Sequence, residues 1–151
     1  MASRKAPHVM VVEARFYEEI ADELCRGALA VLEEAGATHE RLTVPGAFEI
    51  PAAIAIAHRA DPSRFEGYIA LGCVIRGETT HYDYVCVESA RGLQDLANGE
   101  GLAIGYGILT VETRDQAWAR AAIDKKNKGA DAARACLAMV ELRRRFGRVV
   151  A

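Results

Sequence analysis

Hydrophobic positions along this 151-residue chain fall into short uninterrupted apolar runs separated by longer stretches with helical spacing. The runs are typical of buried strands in a parallel sheet. Each is followed by apolar residues three or four positions apart, which indicates an amphipathic helix. The predicted strands cover residues 9–12, 40–44, 70–75 and 102–111. Strands that alternate with helices in this way predict a parallel sheet with helices on both faces.

Turn and capping residues set the predicted limits of the helices. The first helix is expected to stop at Gly36, a glycine suited to a helix C-terminus. An acid or amide three positions after a threonine predicts that Thr80 caps the third helix and Thr113 the fourth. We expect an exit turn at residues 98–101, and a break at residues 125–129 before the last helix.

These elements predict a doubly wound, flavodoxin-like three-layer αβα sandwich with a four-stranded parallel sheet. The length fits one domain covering residues 1–151. In such sheets ligands bind beyond the carboxyl ends of the strands. Three segments with chemically useful side chains follow those ends, at residues 14–16, 45–49 and 76–81. The sequence therefore predicts a binding crevice at this edge of the sheet.

Charge and cysteine content narrow the class of protein. The formal net charge of -2 predicts no general attraction to nucleic acid or to anionic membranes. No apolar run approaches the roughly 18 residues of a membrane span. Arginines near the end of the chain are interpreted as cations that complement a helix dipole rather than as a nucleic-acid site. Four widely spaced cysteines, without a C-x-x-C pair or a signal peptide, favour reduced thiols in a cytoplasmic protein.

The junction between the third strand and its helix offers an anion site. Backbone N–H groups and hydroxyls meet there at a helix N-terminus, which suits a phosphate. The threonines would equally serve only to cap the helix, and no lysine of a nucleotide P-loop follows them. The residues of this 77–80 segment are Gly77, Glu78, Thr79 and Thr80.

His81 follows in the first turn of the same helix. The positive end of the helix dipole favours a neutral ring, which can accept a proton. His81 is therefore a candidate general base or proton shuttle, and the other interpretation is a structural histidine.

Other candidate residues have a plain alternative role as well. Phe48 and Glu49 place an aromatic face beside a carboxylate, which suits a flat polyhydroxylated ligand or a hydrophobic staple beside a first-turn acid. Phe16 could form a second aromatic wall or pack in the core. Arg120 and Lys128 could neutralise a phosphate or remain solvated cations. No spacing of histidine, cysteine and carboxylates suggests a metal site.

Six sequence blocks are distinctive and occur in order along nearly the whole chain. They are ARF at residues 14–16, VPGAFEIP at 44–51, GCVIRGETTHYDYV at 72–85, YGILTVE at 106–112, QAWARA at 116–121 and NKG at 127–129. In this combination they closely resemble the lumazine synthase family, and the second and third blocks together are highly specific. Members of that family catalyse the penultimate step of riboflavin biosynthesis.

The resemblance implies a reaction and a set of roles. The reaction joins 5-amino-6-(D-ribitylamino)uracil to 3,4-dihydroxy-2-butanone 4-phosphate, giving 6,7-dimethyl-8-ribityllumazine, phosphate and water, with no metal or organic cofactor. The 77–80 segment would bind the phosphate, and His81 would move protons during imine formation, phosphate elimination and ring closure. The residues implied to hold the pyrimidine ring and its ribityl chain are Phe16, which would stack on the ring, Ala47, Phe48, Glu49, Val74 and Ile75.

Sites of this family lie between neighbouring subunits, so the resemblance implies a homo-oligomer. Tyr106, Arg120 and Lys128 would come from the adjacent protomer, with Arg120 neutralising the substrate phosphate. Tyr106 stands where many relatives have phenylalanine. Residues 121–127, reading AAIDKKN, lack the glycine-rich GTKAGN kink of icosahedral members. This predicts a pentamer, or a decamer of paired pentamers, rather than a capsid.

Two other functions would use some of the same residues. A relative that binds flavin or lumazine without turnover would need the pyrimidine pocket alone, and the presence of His81, Arg120 and Lys128 favours catalysis instead. A general phosphosugar enzyme on the same fold would bind the butanone phosphate without binding the pyrimidine.

Overall fold

The structure, a computed structural model, describes residues 5–147. Its strands are β1 (His8–Ala14), β2 (Thr38–Val44), β3 (Gly67–Ile75) and β4 (Ile104–Val111). Its helices are α1 (Glu18–Glu34), α2 (Ile50–Ala60), α3 (His81–Glu100), α4 (Arg114–Ala121) and α5 (Lys128–Gly147). A single 3-10 turn, Ala47–Glu49, precedes α2. Each of the four strands predicted from the apolar runs is therefore present.

The sheet is parallel throughout and has the order β2-β1-β3-β4. Val12 of β1 lies opposite Leu42 of β2 and Ala70 of β3, and Ala70 lies opposite Tyr106 of β4. The strand order reverses between β1 and β3, and sheets of this kind bind their ligands outside the carboxyl ends of the strands at that point. The predicted three-layer α/β sandwich is confirmed.

Two hydrophobic cores lie on opposite faces of the sheet. Side chains alternate along a strand, so neighbouring β1 residues enter different cores. The core beneath α1 and α5 contains Val9, Val11, Leu24 and Cys136. The core beneath α2 and α3 contains Met10, Val12, Ile54 and Leu93. Because both faces are covered, β1 is apolar on both sides, which explains its uninterrupted run of hydrophobic residues.

The predicted helix ends are partly right. Gly36, at φ 71°, follows the end of α1 as expected. The exit turn predicted at residues 98–101 is wrong, because α3 continues to Glu100 and ends at the left-handed Gly101, with φ 66°. The break before the last helix covers residues 122–127 instead of 125–129, since α4 ends at Ala121 and α5 begins at Lys128.

Gly105 lets α5 approach the sheet closely. A β-carbon at this position would lie 2.0 Å from the carbonyl oxygen of Ala132 in α5. A glycine inside a strand indicates close approach by another backbone or a ligand, and at Gly105 the neighbour is the backbone of α5. This contact brings the start of α5, which carries Lys128, down onto β4.

The arginines at the end of α5 bind the loop before β3. Arg144 donates through Nε and Nη2 to the carboxylate of Glu66, at 2.7 and 2.5 Å. Arg143 Nη1 donates to the Glu66 carbonyl oxygen at 3.2 Å. The arginines near the end of the chain are Arg143, Arg144, Arg145 and Arg148, and the last of them lies outside the described residues. Arg143 and Arg144 therefore fasten the end of α5 to the rest of the fold.

Candidate active site

The carboxyl ends of β1, β2 and β3 meet at one edge of the sheet, so the three predicted segments lie at that edge. Ala14 at the end of β1 is paired with Val44 at the end of β2. The pairing of β1 with β3 ends at Glu13 and Leu71, and from there on β3 pairs with β4 alone. Beyond Leu71, the part of β3 that includes Val74 and Ile75 therefore has no strand partner on the β1 side.

Two aromatic side chains are exposed at this edge of the sheet. Phe16 lies in the loop after β1 and is 77% exposed, and Phe48 in the 3-10 turn after β2 is 54% exposed. Ala47 is buried in the core beneath α2 and fixes that turn, while Glu49 beside Phe48 is exposed. Exposed aromatic rings carry a free face for stacking, which a core phenylalanine does not. The interpretation of Phe16 as a core residue is therefore wrong.

The 77–80 segment forms an exposed loop at the N-terminus of α3. Thr80 does not cap the helix with its side chain, which corrects the prediction. Its backbone is αR, with φ -74° and ψ -1°, whereas a capping side chain needs extended backbone to reach the helix N–H groups. Instead, Thr79 Oγ1 accepts from the His81 N–H at 3.3 Å. Within residues 5–147 the Thr80 hydroxyl makes no capping hydrogen bond to α3.

His81 is the first residue of α3, and its imidazole is exposed beside the 77–80 segment. Among residues 5–147 no side chain forms a hydrogen bond with this ring. A structural histidine would be expected to have such a partner. The ring is therefore accessible to a ligand at the helix N-terminus.

Arg76, between β3 and the 77–80 segment, has an ionic network that motif reasoning did not reveal. Its Nε donates to Glu112 at 2.7 Å, and Nη1 approaches Asp83 Oδ1 at 3.4 Å. The guanidinium carbon also lies 4.3 Å from the centre of the Tyr82 ring. The hydrogen bond to Glu112 is the main cause of a raised Arg76 pKa. Arg76 thus links the ends of β3, β4 and α3.

A second missed feature is the buried Glu13 at the end of β1. Its carboxylate accepts hydrogen bonds from Arg15 at 2.7 Å and from Arg41 of β2 at 2.9 Å. A buried carboxylate needs such partners. The signal was present in the sequence, because a glutamate interrupts an otherwise apolar strand next to the ARF block.

Tyr106, Arg120 and Lys128 are the three predicted site residues that lie elsewhere. They line a groove of about 770 Å³ between α3, β4 and α5, on the open edge of the sheet. Neither Phe48 nor His81 lines this groove. The predicted residues therefore form two sets within one chain. We call Tyr106, Arg120 and Lys128 the groove group, and the residues at the ends of β1, β2 and β3 the strand-end group.

The groove group combines an aromatic ring with two cations. Tyr106 is 43% exposed, and burial of its hydroxyl end raises its pKa. Arg120 Nη1 donates to the Gln116 carbonyl oxygen at 3.0 Å, and Lys128 lies 3.4 Å from Asp131. Arg120 forms no ion pair within the described part of the chain, so its charge is available to an anionic ligand.

The described residues contain neither a cluster of metal-binding side chains nor a helix that could span a membrane. Between residues 5 and 147 there is no group of three or more histidine, cysteine, aspartate or glutamate side chains that could hold a metal ion. None of the helices in that range has both the length and the apolar character that a membrane span needs.

Comparison with known proteins gives one consistent result. Residues 6–144 match the family model of 6,7-dimethyl-8-ribityllumazine synthase. The chain is 57% identical to the protein of that name from Bartonella tribocorum over 144 residues, 95% of each chain. It is 56% identical to the Agrobacterium fabrum protein of the same name, covering 93% of this chain and 97% of the relative. It is 55% identical to 6,7-dimethyl-8-ribityllumazine synthase 1 from Rhizobium meliloti, covering 97% of this chain and 98% of the relative.

Proposed function

The chain belongs to the 6,7-dimethyl-8-ribityllumazine synthase family, and on that basis we propose that it catalyses the lumazine-forming step of riboflavin biosynthesis. It condenses 5-amino-6-(D-ribitylamino)uracil with 3,4-dihydroxy-2-butanone 4-phosphate and releases phosphate and water. The observation that carries this proposal is the position of His81. An exposed imidazole without a described partner stands at a helix N-terminus, directly after a segment suited to phosphate.

The strand-end group supplies the pyrimidine half of the site. Phe16 stacks on the pyrimidine ring, and Phe48 and Glu49 hold the ring and its ribityl chain. Glu49 is exposed and can accept hydrogen bonds from ribityl hydroxyls. The free side of β3 beyond Leu71 supports this role, because Val74 and Ile75 can offer backbone groups there that β1 does not use.

The phosphate and proton steps occur at the start of α3. The 77–80 segment binds the phosphate through backbone N–H groups at the positive end of the helix and through the Thr80 hydroxyl. His81 moves protons as the imine forms, the phosphate leaves and the ring closes. The substrates are already reactive, so orientation provides much of the rate, since it can lower a bimolecular barrier by about 7 to 11 kcal/mol.

The groove group completes the site from a neighbouring subunit. Arg120 neutralises the substrate phosphate, and Lys128 adds a second positive charge. Tyr106 closes the pocket of the pyrimidine ring. The support for this arrangement is that these residues line a separate groove on the open edge of the sheet, away from the strand-end group. The active assembly is a pentamer, or two pentamers paired into a decamer. Four unpaired cysteines are consistent with a reaction in the reducing cytoplasm.

The purified chain tests this proposal directly. Mixed with both substrates, it should form a fluorescent lumazine and release phosphate in equal amounts, while light scattering reports the mass of the assembly. Tight pyrimidine binding without product would indicate a binding protein. Binding of the butanone phosphate without the pyrimidine would indicate a phosphosugar enzyme. A hollow capsid in electron micrographs would contradict the predicted assembly.

A further inference from the structure

The Phe16 side chain packs little against the rest of the fold. Its ring is 77% exposed and contacts the ring of Tyr17 edge-on, with 4.9 Å between centroids. The side chain of Tyr17, the N-cap residue of α1, forms no capping hydrogen bond. The direction of the Phe16 ring therefore depends on the conformation of the short loop that joins β1 to α1.

Arg15 connects the two ends of that loop. Its Nη1 donates to Glu13 Oε1 at 2.7 Å, and its Nη2 donates to Asp22 Oδ1. Glu13 belongs to β1 and has a side chain only 2% exposed, whereas Asp22 belongs to the second turn of α1. Arg41 of β2 binds the other oxygen of Glu13 at 2.9 Å. The Glu13 carboxylate that binds Arg15 at the strand end is thus buried, and both of its oxygens accept hydrogen bonds.

A planar guanidinium that binds two carboxylates fixes their separation and orientation, which a lysine cannot do. We propose that Arg15 and Asp22 are positioning residues for the pyrimidine substrate, because they hold the loop that presents Phe16 for stacking. The inference rests on the proposed function, and specifically on the role of Phe16. A ring that is already in place loses less conformational freedom when the ligand binds, so binding is tighter.

Asp22 is the better position for a test than Arg15. Removal of Arg15 would leave the buried Glu13 with one partner fewer, and loss of a partner from a buried ion pair can unfold a protein. Asp22 has a side chain that is 62% exposed, so Asp22→Asn releases only the α1 end of the loop. Glu19→Gln is a matched control, because Glu19 is an exposed acid of the same helix that pairs with Arg114 at 2.8 Å.

Steady-state kinetics of the assembled enzyme should separate the two substrates. Asp22→Asn is expected to raise KM for the pyrimidine about threefold to tenfold, the range that one aromatic stacking interaction can supply, and to leave KM for the butanone phosphate unchanged. Asp22→Glu should restore part of the loss. Glu19→Gln should change neither constant. An equal rise in both constants for Asp22→Asn would indicate general loosening and would overturn the inference.

A double mutant decides whether Asp22 acts through Phe16. In a Phe16→Ala background the ring is already absent, so Asp22→Asn should have no further effect on KM for the pyrimidine. A full additional effect in that background would overturn the inference. If Phe16→Ala alone leaves this KM unchanged, the assignment of Phe16 fails and the inference fails with it. If Phe16→Ala raises KM and Asp22→Asn does not, the inference alone is wrong.

Discussion

Arg76 and Glu112 join the carboxyl ends of β3 and β4. The Arg76 side chain donates to the Glu112 carboxylate at 2.7 Å, and its backbone N–H donates to the Val111 carbonyl oxygen at 3.0 Å. Arg76 is followed at once by the 77–80 segment. The residues proposed to bind phosphate therefore start from a point that is fixed through both its side chain and its backbone.

Loss of this ion pair should weaken binding of the phosphate substrate. Glu112→Gln is expected to raise KM for the butanone phosphate about twofold to fivefold, in line with the strength of exposed ion pairs. KM for the pyrimidine should change less, because Phe16 and Phe48 lie on other loops. Kinetics with each substrate varied in turn would show this. An unchanged KM for the phosphate substrate would mean that Arg76 does not order the segment.

Replacement of His81 should affect turnover more than binding. His81→Ala is expected to lower kcat roughly 10²-fold, the lower range for loss of a general acid or base. KM for the pyrimidine should change little, because Phe16 and Phe48 hold the pyrimidine ring. His39→Ala serves as the control, since His39 is an exposed histidine of β2 away from the carboxyl edge. Equal kcat values for the two variants would contradict the role of His81.

Gly105→Ala should destabilise the fold, because the added β-carbon would lie 2.0 Å from the Ala132 carbonyl oxygen in α5. Relief of that clash requires a shift of backbone, at a cost of about 1 to 3 kcal/mol or more. Gly99→Ala is the matched control. It lies in α3 with no atom within 4 Å of the new β-carbon, and it should be neutral or stabilising by up to about 1 kcal/mol. Denaturant unfolding measures the free energy of unfolding of both variants. Similar values would show that α5 can move away from the added β-carbon without cost.

The buried thiol of Cys136 should make stability fall at alkaline pH. Burial raises its pKa from 9.0 to about 12, so between these values the thiol ionises in the unfolded chain and stays protonated in the fold. Its contribution is complete below pH 9 and is lost as pH rises toward 12, at roughly 1 kcal/mol per pH unit. Cys136→Ala should lower stability below pH 9, where the buried thiol contributes fully, and should flatten the alkaline decline. Parallel curves of unfolding free energy for the two proteins would contradict this.

The architecture and much of the site could be predicted from local pattern. Apolar runs identify buried strands, and the carboxyl ends of parallel strands share one edge, so the order of residues along the chain suffices to assign Phe16, Phe48 and His81 to that edge of the sheet. A close neighbour at Gly105 was also predictable from its place inside a strand, but the sequence left open whether that neighbour was another backbone or a ligand.

Features that depend on conformation or on distant partners could not be predicted. Thr80 and Thr113 have the same capping pattern, yet only Thr113 accepts a hydrogen bond from the helix, from the Gln116 N–H at 3.2 Å. Thr113 has extended backbone, with φ -135° and ψ 160°, and Thr80 does not. Likewise the bond from Arg76 to Glu112 joins residues 36 positions apart, a pairing that follows from strand order and not from spacing.

In the proposed assembly, the strand-end group of one subunit and the groove group of its neighbour form one active site. His81→Ala and Arg120→Gln each remove one half, and both variants should be nearly inactive alone. When the two are co-expressed in equal amounts with different tags, about a quarter of the interfaces will combine two intact halves, and activity should recover toward that fraction of wild type. A mixed assembly no more active than either variant alone would contradict a site shared between subunits.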